Sequence, residues 1–229
     1  MPEFDRYADE YDKLLQDPIR DRFAAGSRFF FERKWILLQE LMAEAGVDLG
    51  TSSWLDVGCG RGELLQHGAA SFAEVCGCDV SSEMLNGAHG LNVVIQPEPT
   101  RLPYPDGKFD LVTAVCVYHH VVPEDRPRLT AEIARVLKPN GCACIIEHNP
   151  LNPVTQMIVH RAPVDVDAQL LGAGRSRGLL AAAGLRDHRT KYFLYFPEKI
   201  YRRLSGLEGA LSWVPAGGQY AALARKKSA

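Results

Sequence analysis

Trp54-Leu55-Asp56-Val57-Gly58-Cys59-Gly60-Arg61-Gly62-Glu63-Leu64 is the stretch whose reading decides the fold. Trp54, Leu55 and Val57 make a short apolar run of the kind that forms a buried strand. Glycines at alternate positions then turn the chain into a helix predicted to start near Glu63. The unit is a strand, a glycine-rich loop and a helix. Lacking a Cβ, glycine takes positive φ and lets backbone approach a bound molecule, while the helix N-terminus points N–H donors at it. A ligand carrying a carboxylate or phosphate suits such a cradle. The spacing bears on which ligand. A dinucleotide fingerprint runs G-x-G-x-x-G, whereas Gly58, Gly60 and Gly62 give G-x-G-x-G with an acid, Asp56, two residues ahead of the first glycine.

With Asp56 in place, the loop resembles motif I of the class I S-adenosylmethionine-dependent methyltransferases. Three further segments resemble that family in the same order. Cys78-Asp79-Val80-Ser81 ends a second apolar run. Leu102-Pro103-Tyr104-Pro105-Asp106-Gly107-Lys108-Phe109-Asp110-Leu111-Val112 is similar to the family's L-P-F-x-D-x-x-F-D segment, and Ile133 to Gly141 is similar to its helix and turn before strand five. The resemblance implies an α/β fold with a doubly wound, seven-stranded, mostly parallel sheet in the order 3-2-1-4-5-7-6, its last strand antiparallel. It also implies S-adenosyl-L-methionine as cofactor, with S-adenosyl-L-homocysteine as product. Asp56, Gly58, Cys59, Gly60 and Gly62 would hold the methionine end. Asp79, at the end of strand two, is placed for the ribose hydroxyls, or else caps the helix that follows. Val80, Met84 and Cys116 join the cofactor-binding set, as does Glu98, at the position of the family's adenine-binding acid. There the sequence departs from the pattern, because Pro97 and Pro99 remove backbone donors.

A chain of 229 residues fits one domain of about 200–250 residues. Residues 1–229 are therefore read as a single domain, with 1–48 as an N-terminal helical or lid extension and substrate-region insertions at 149–173 and 197–216. A formal net charge of -2 offers no bulk attraction to nucleic acid or anionic membrane, which favours a small-molecule substrate. No apolar run reaches the ~18 residues of a membrane span, and the acidic N-terminus lacks a signal-peptide core, so a cytoplasmic location is expected. The six cysteines fall mostly in predicted strands and read as free thiols. In the implied strand order two strands separate Cys76 and Cys78 from Cys142 and Cys144, so a four-sulfur metal site is not expected.

The remaining candidates lie along the chain. Phe4 to Asp12 is similar to a segment that folds over the cofactor in many of these enzymes, with Tyr7 and Tyr11 as contacting side chains; otherwise it is a packing helix. Ser27 to Ala45 has helical periodicity, with Arg33 and Lys34 expected to be solvated. Phe109 to Val117 reads as a buried parallel strand whose carboxyl end, Cys116-Val117-Tyr118-His119-His120, reaches the edge where ligands bind in open α/β sheets. His119 and His120 are candidate general bases, because a histidine is largely neutral at pH 7. Tyr118, Glu147 and His148 are candidate substrate contacts at the same edge. His160, Arg161, Asp165 and Asp167 read as either substrate contacts or charged surface. Ile200, Leu204, Leu207 and Leu211 form a helical stripe that reads as core, cavity wall or dimer contact.

The function expected from these residues is methyl transfer from S-adenosylmethionine to a small-molecule acceptor, a hydroxyl first, by a monomer or homodimer. A nicotinamide-dependent oxidoreductase and a non-catalytic S-adenosylmethionine-binding module are the alternatives.

Overall fold

The structure is a computed structural model that describes residues 5, 7 and 10–228. Strand β1 (Ser53–Val57) is buried along its whole length. It pairs in parallel with β2 (Glu74–Asp79) on one side and with β4 (Phe109–Val115) on the other, as an apolar run covered on both faces requires. β3 (Val93–Ile95) extends the β2 side. On the far side follow β5 (Leu137–His148), β7 (Gln219–Lys226) and β6 (Leu185–Phe193), with β7 antiparallel to both neighbours. The order is 3-2-1-4-5-7-6, as the resemblance implied.

Side chains alternate across the strands into two apolar clusters. On one face Leu55, Val112 and Ile145 meet Leu129 and Ile133 of α6 (Arg126–Val136) and Leu180 of α8 (Ala173–Ala182). On the other, Trp54, Leu111 and Ile146 meet Leu38 and Leu41 of α3 (Ser27–Glu44) and Leu64 of α4 (Glu63–Gly68). The Trp54 ring stacks 6.0 Å from Trp35, and its Nε1 donates to Thr113 Oγ1 at 2.8 Å. That contact carries the core up to the glycine loop.

Three expectations are corrected. Pro139-Asn140-Gly141 is not a turn ahead of strand five: β5 already begins at Leu137, and a register shift opposite Phe109 and Leu111, with Asn140 at φ 65°, absorbs the extra residues. Of the readings of the leucine stripe on helix α9 (Glu198–Leu211), the core one is removed. Ile200 and Leu207 are exposed, and the buried residue of the helix is Glu208. Nor are Arg33 and Lys34 solvated, since both are buried. The Arg33 guanidinium lies 3.8 Å from the Tyr201 ring centroid and pairs with Glu208, whose other oxygen accepts from the Tyr195 N–H at 2.9 Å. A buried charge pair, rather than an apolar stripe, docks α9 on α3.

All six cysteines are free thiols, five of them buried, with β1 and β4 standing between the pair on β2 and the pair on β5. Among the described residues no helix is long and apolar enough to cross a membrane.

Candidate functional site

At the carboxyl ends of β1, β2, β4 and β5 lies a cavity of about 880 Å³, near the upper end of the range for small-molecule sites. Its floor is the glycine loop. Gly58 has φ +67°, and a Cβ there would sit 2.5 Å from Val117 Cγ2. Gly62 caps α4 at φ +75°, where a Cβ would sit 2.3 Å from Leu91 Cδ1. Only glycine satisfies both the backbone and the space at these two positions. Gly58, Cys59 and Gly60 line the cavity with Asp56, Val80 and Met84; Gly62 shapes the turn without lining it.

Asp79 holds this loop in place. One carboxylate oxygen accepts from the Gly60 N–H at 2.8 Å, the other from the Ser81 N–H at 2.9 Å. The cap of α5 (Ser82–Leu85) is Ser81, whose hydroxyl accepts from the Met84 N–H at 3.2 Å. Asp79 is thus not needed as a cap, and each of its oxygens keeps lone-pair capacity toward the cavity it lines. Burial raises its pKa against the backbone N–H bonds that lower it. Asp56 is more deeply buried, and burial pushes it up to about 7, opposed by the Thr113 hydroxyl at 2.5 Å and the charge of Lys34.

Glu98 is a correction. It is exposed and absent from the cavity lining, because its bridge to Arg101 folds the segment into a turn. The buried side chain that lines the cavity is Gln96, whose amide donates to the carbonyls of Glu98 and Pro99 at 2.9 and 3.0 Å.

The opposite end of the cavity is built from the β4 and β5 edges and the 149–173 segment. The expected histidines separate into two roles. His119 is 2% exposed, its Nδ1 2.6 Å from Glu147 Oε2 and its Nε2 3.4 Å from Asp165 Oδ1. Burial opposes its protonation, but the Glu147 carboxylate and the Asp165 contact raise its pKa well above the ordinary value. Such an imidazolium, clamped at both nitrogens, holds its proton. His120 is more exposed, lines the cavity and sets its Nε2 3.3 Å from the same Asp165 oxygen. Despite burial, the two histidines hold Asp165 well below the usual carboxylate range. His119, His120 and Asp165 place one donor atom each within 4.8 Å of one another, a set that can also accommodate a metal ion.

Tyr118 and Glu147 are not substrate contacts. Tyr118 is fully buried with its hydroxyl 2.8 Å from Thr130 Oγ1. Glu147 is fully buried, accepts from the Tyr118 N–H at 2.7 Å and aligns His119. His148 does line the cavity, beside Cys116 and Gln219. Cys116 takes φ +57°, a conformation few non-glycine residues adopt. Burial would raise its thiol, but the charges of Lys34 and His148 bring it down to about 7.

The N-terminal extension roofs the site. Tyr11 of α1 (Tyr11–Leu14) lines the cavity, its ring 5.4 Å from the Arg61 guanidinium carbon and its hydroxyl pushed up by burial. Tyr7 is not among the lining residues, and Phe4, Arg6, Ala8 and Asp9 of the expected lid lie outside the described residues. Asp17, the cap of α2 (Pro18–Phe23), reaches Arg161 of α7 (Pro153–Arg161) at 3.6 Å, joining the extension to the 149–173 segment. Between them Phe30, Phe31, Val122, Ile158, Val159 and Leu194 form an apolar wall. Lys34, Gln96 and Gln219 are lining residues that local sequence signals did not single out as site residues, while Asp165, read as either substrate contact or charged surface, lines the cavity.

Residues 55–145 match the family described as a methyltransferase domain. The chain is 31% identical over 165 residues to the 2-phytyl-1,4-naphtoquinone methyltransferase of Trichormus variabilis, covering 65% of this chain and 65% of that protein. It is 28% identical over 148 residues to the 27-O-demethylrifamycin SV methyltransferase of Amycolatopsis mediterranei, covering 60% of this chain and 54% of that protein. It thus spans less than two thirds of either relative. Among solved structures, a possible histamine N-methyltransferase of Thermotoga maritima superposes with a TM-score of 0.70 over 98% of both chains at 16% identity, a likeness of fold.

Proposed function

We propose that this chain, whose residues 55–145 form a methyltransferase domain of the class I, S-adenosylmethionine-dependent family, methylates a hydroxyl of a small, largely apolar molecule. The observation that carries the reading is that one cavity joins the glycine loop and Asp79 to the His120–Asp165 pair across an apolar wall. The two relatives named for a phytyl naphthoquinone and a rifamycin support an apolar acceptor.

The residues fit the cofactor. Asp79 keeps unused acceptor capacity beside a loop into which a ligand can approach the backbone closely. When bound, S-adenosylmethionine supplies a methyl group already activated by the sulfonium charge. What remains for the protein is to align donor and acceptor and to remove the acceptor proton. His120 is the group placed to take that proton on a ring nitrogen, and Asp165 orients the ring and stabilises the imidazolium formed. With its proton on His120, the acceptor oxygen would be ready to receive that methyl group. His119, occupied by carboxylates at both nitrogens, positions Asp165 rather than acting as a base.

Calorimetry with S-adenosylmethionine tests the cofactor; binding of a nicotinamide dinucleotide instead would turn the reading to an oxidoreductase. A screen of apolar phenols and quinols with methyl-labelled donor tests the acceptor. With an acceptor in hand, His120→Ala is expected to lower kcat about a hundredfold, the low end of general-base effects, with the cofactor Kd unchanged. Because the carboxylates already satisfy His119, activity is also expected to survive EDTA; its loss would give the His119, His120 and Asp165 set to a metal.

A further inference from the structure

Lys34 is a buried charge in the cavity wall. It is 5% exposed on α3 and lines the cavity. Its Nζ lies 4.6 Å from the Phe31 ring centroid, and among the described residues no carboxylate or carbonyl holds it by hydrogen bond or ion pair. Burying an ammonium group without a partner is costly, and one aromatic face recovers only part of that cost. Two cations near it are already engaged, Arg33 with Glu208 and Arg61 with Glu63 at 3.2 Å. Lys34 stands on the glycine-loop side, where its charge is felt by Asp56 and by Cys116. No hydrogen bond or ion pair joins it to Asp56, whose Oδ1 accepts from the Thr113 hydroxyl. A buried cation facing an open cavity is a seat for an anion.

We infer that Lys34 binds the carboxylate of the methionine moiety of S-adenosylmethionine, so that the N-terminal extension supplies part of the cofactor site. The inference rests on reading the cavity as the cofactor site. It gives α3 a second role beyond packing on the sheet: ordering of the extension and cofactor affinity become coupled through one side chain.

The test compares S-adenosylmethionine with its decarboxylated analogue, which differs only by the carboxylate, by calorimetry on the full chain and on Lys34→Met, with Lys34→Gln as the second variant. In the wild type the analogue is expected to bind about thirtyfold more weakly, the scale of one charge-assisted hydrogen bond. In Lys34→Met the two ligands are expected to bind alike, because the carboxylate has lost its partner, while unfolding temperature shows that the fold is kept. Equal affinities in the wild type overturn the inference without any variant. Equal weakening of both ligands in the variants also overturns it, assigning Lys34 a structural role. Binding of neither ligand by the wild type instead rejects the cofactor reading itself.

Discussion

Asp79→Ala is expected to weaken S-adenosylmethionine binding about a thousandfold, because it removes two kinds of support together. The first is direct. A carboxylate at the end of β2 offers acceptor capacity to the two ribose hydroxyls, and each hydrogen bond to a charged group contributes about 1.5–3 kcal/mol. The second is indirect. The same carboxylate holds the Gly60 and Ser81 N–H groups at 2.8 and 2.9 Å, so the loop loses its anchor at the point where backbone must approach the ligand. Asp79→Asn separates the two contributions. The amide retains one acceptor for Gly60 or Ser81 but has no charge, and should recover part of the affinity. Calorimetry with S-adenosylhomocysteine reads both variants. Wild-type affinity in Asp79→Ala would remove Asp79 from the ribose site.

Legibility in the sequence follows the range of the interaction. The glycine loop, the acid at the end of β2 and the two histidines at the β4 edge could be read because each is a local pattern whose chemistry depends on strand ends and positive φ. Glu98 misled because the Glu98–Arg101 bridge rotates that acid away while leaving Gln96 inside. Tyr118 and Glu147 misled for a different reason. They flank the cavity-lining residues, but Tyr118 turns into the core beside Thr130 and Glu147 turns toward His119. Lys34 was hidden altogether. In sequence it follows Arg33 on a helix with charged neighbours; in the fold it is buried and lines the cavity, while Arg33 beside it takes up Glu208 of the distant α9 segment. A local window cannot see partners so far along the chain. Asp165 stayed between substrate contact and charged surface in the sequence, since only the path of the 149–173 segment carries its carboxylate back to His119 and His120.

Glu147→Gln is expected to destabilise the fold by about 3–5 kcal/mol, the usual cost of removing one partner of a buried ion pair. At roughly 2–4 °C per kcal/mol for a chain of this size, the melting temperature should fall by about 10 °C. The carboxylate is fully buried, accepts from the Tyr118 N–H and lies 2.6 Å from His119 Nδ1. Its loss leaves the imidazole with Asp165 alone at 3.4 Å. The pH dependence separates this pair from generic packing. His119 is raised above its ordinary 6.5, so its contribution is complete below pH 6.5 and is lost as pH rises through the folded value. Burial would raise Glu147, but the His119 charge holds it below its ordinary 4.5, so its contribution is complete above pH 4.5 and is lost as pH falls through the folded value. The gap in melting temperature between wild type and Glu147→Gln should therefore be widest between about pH 4.5 and 6.5 and narrow on either side. A gap independent of pH would mean that Glu147 acts as a neutral acceptor for the Tyr118 N–H. In that case His119 would not be a fixed cation beside the acceptor pocket, and Asp165 would be free to share a proton with His120 alone.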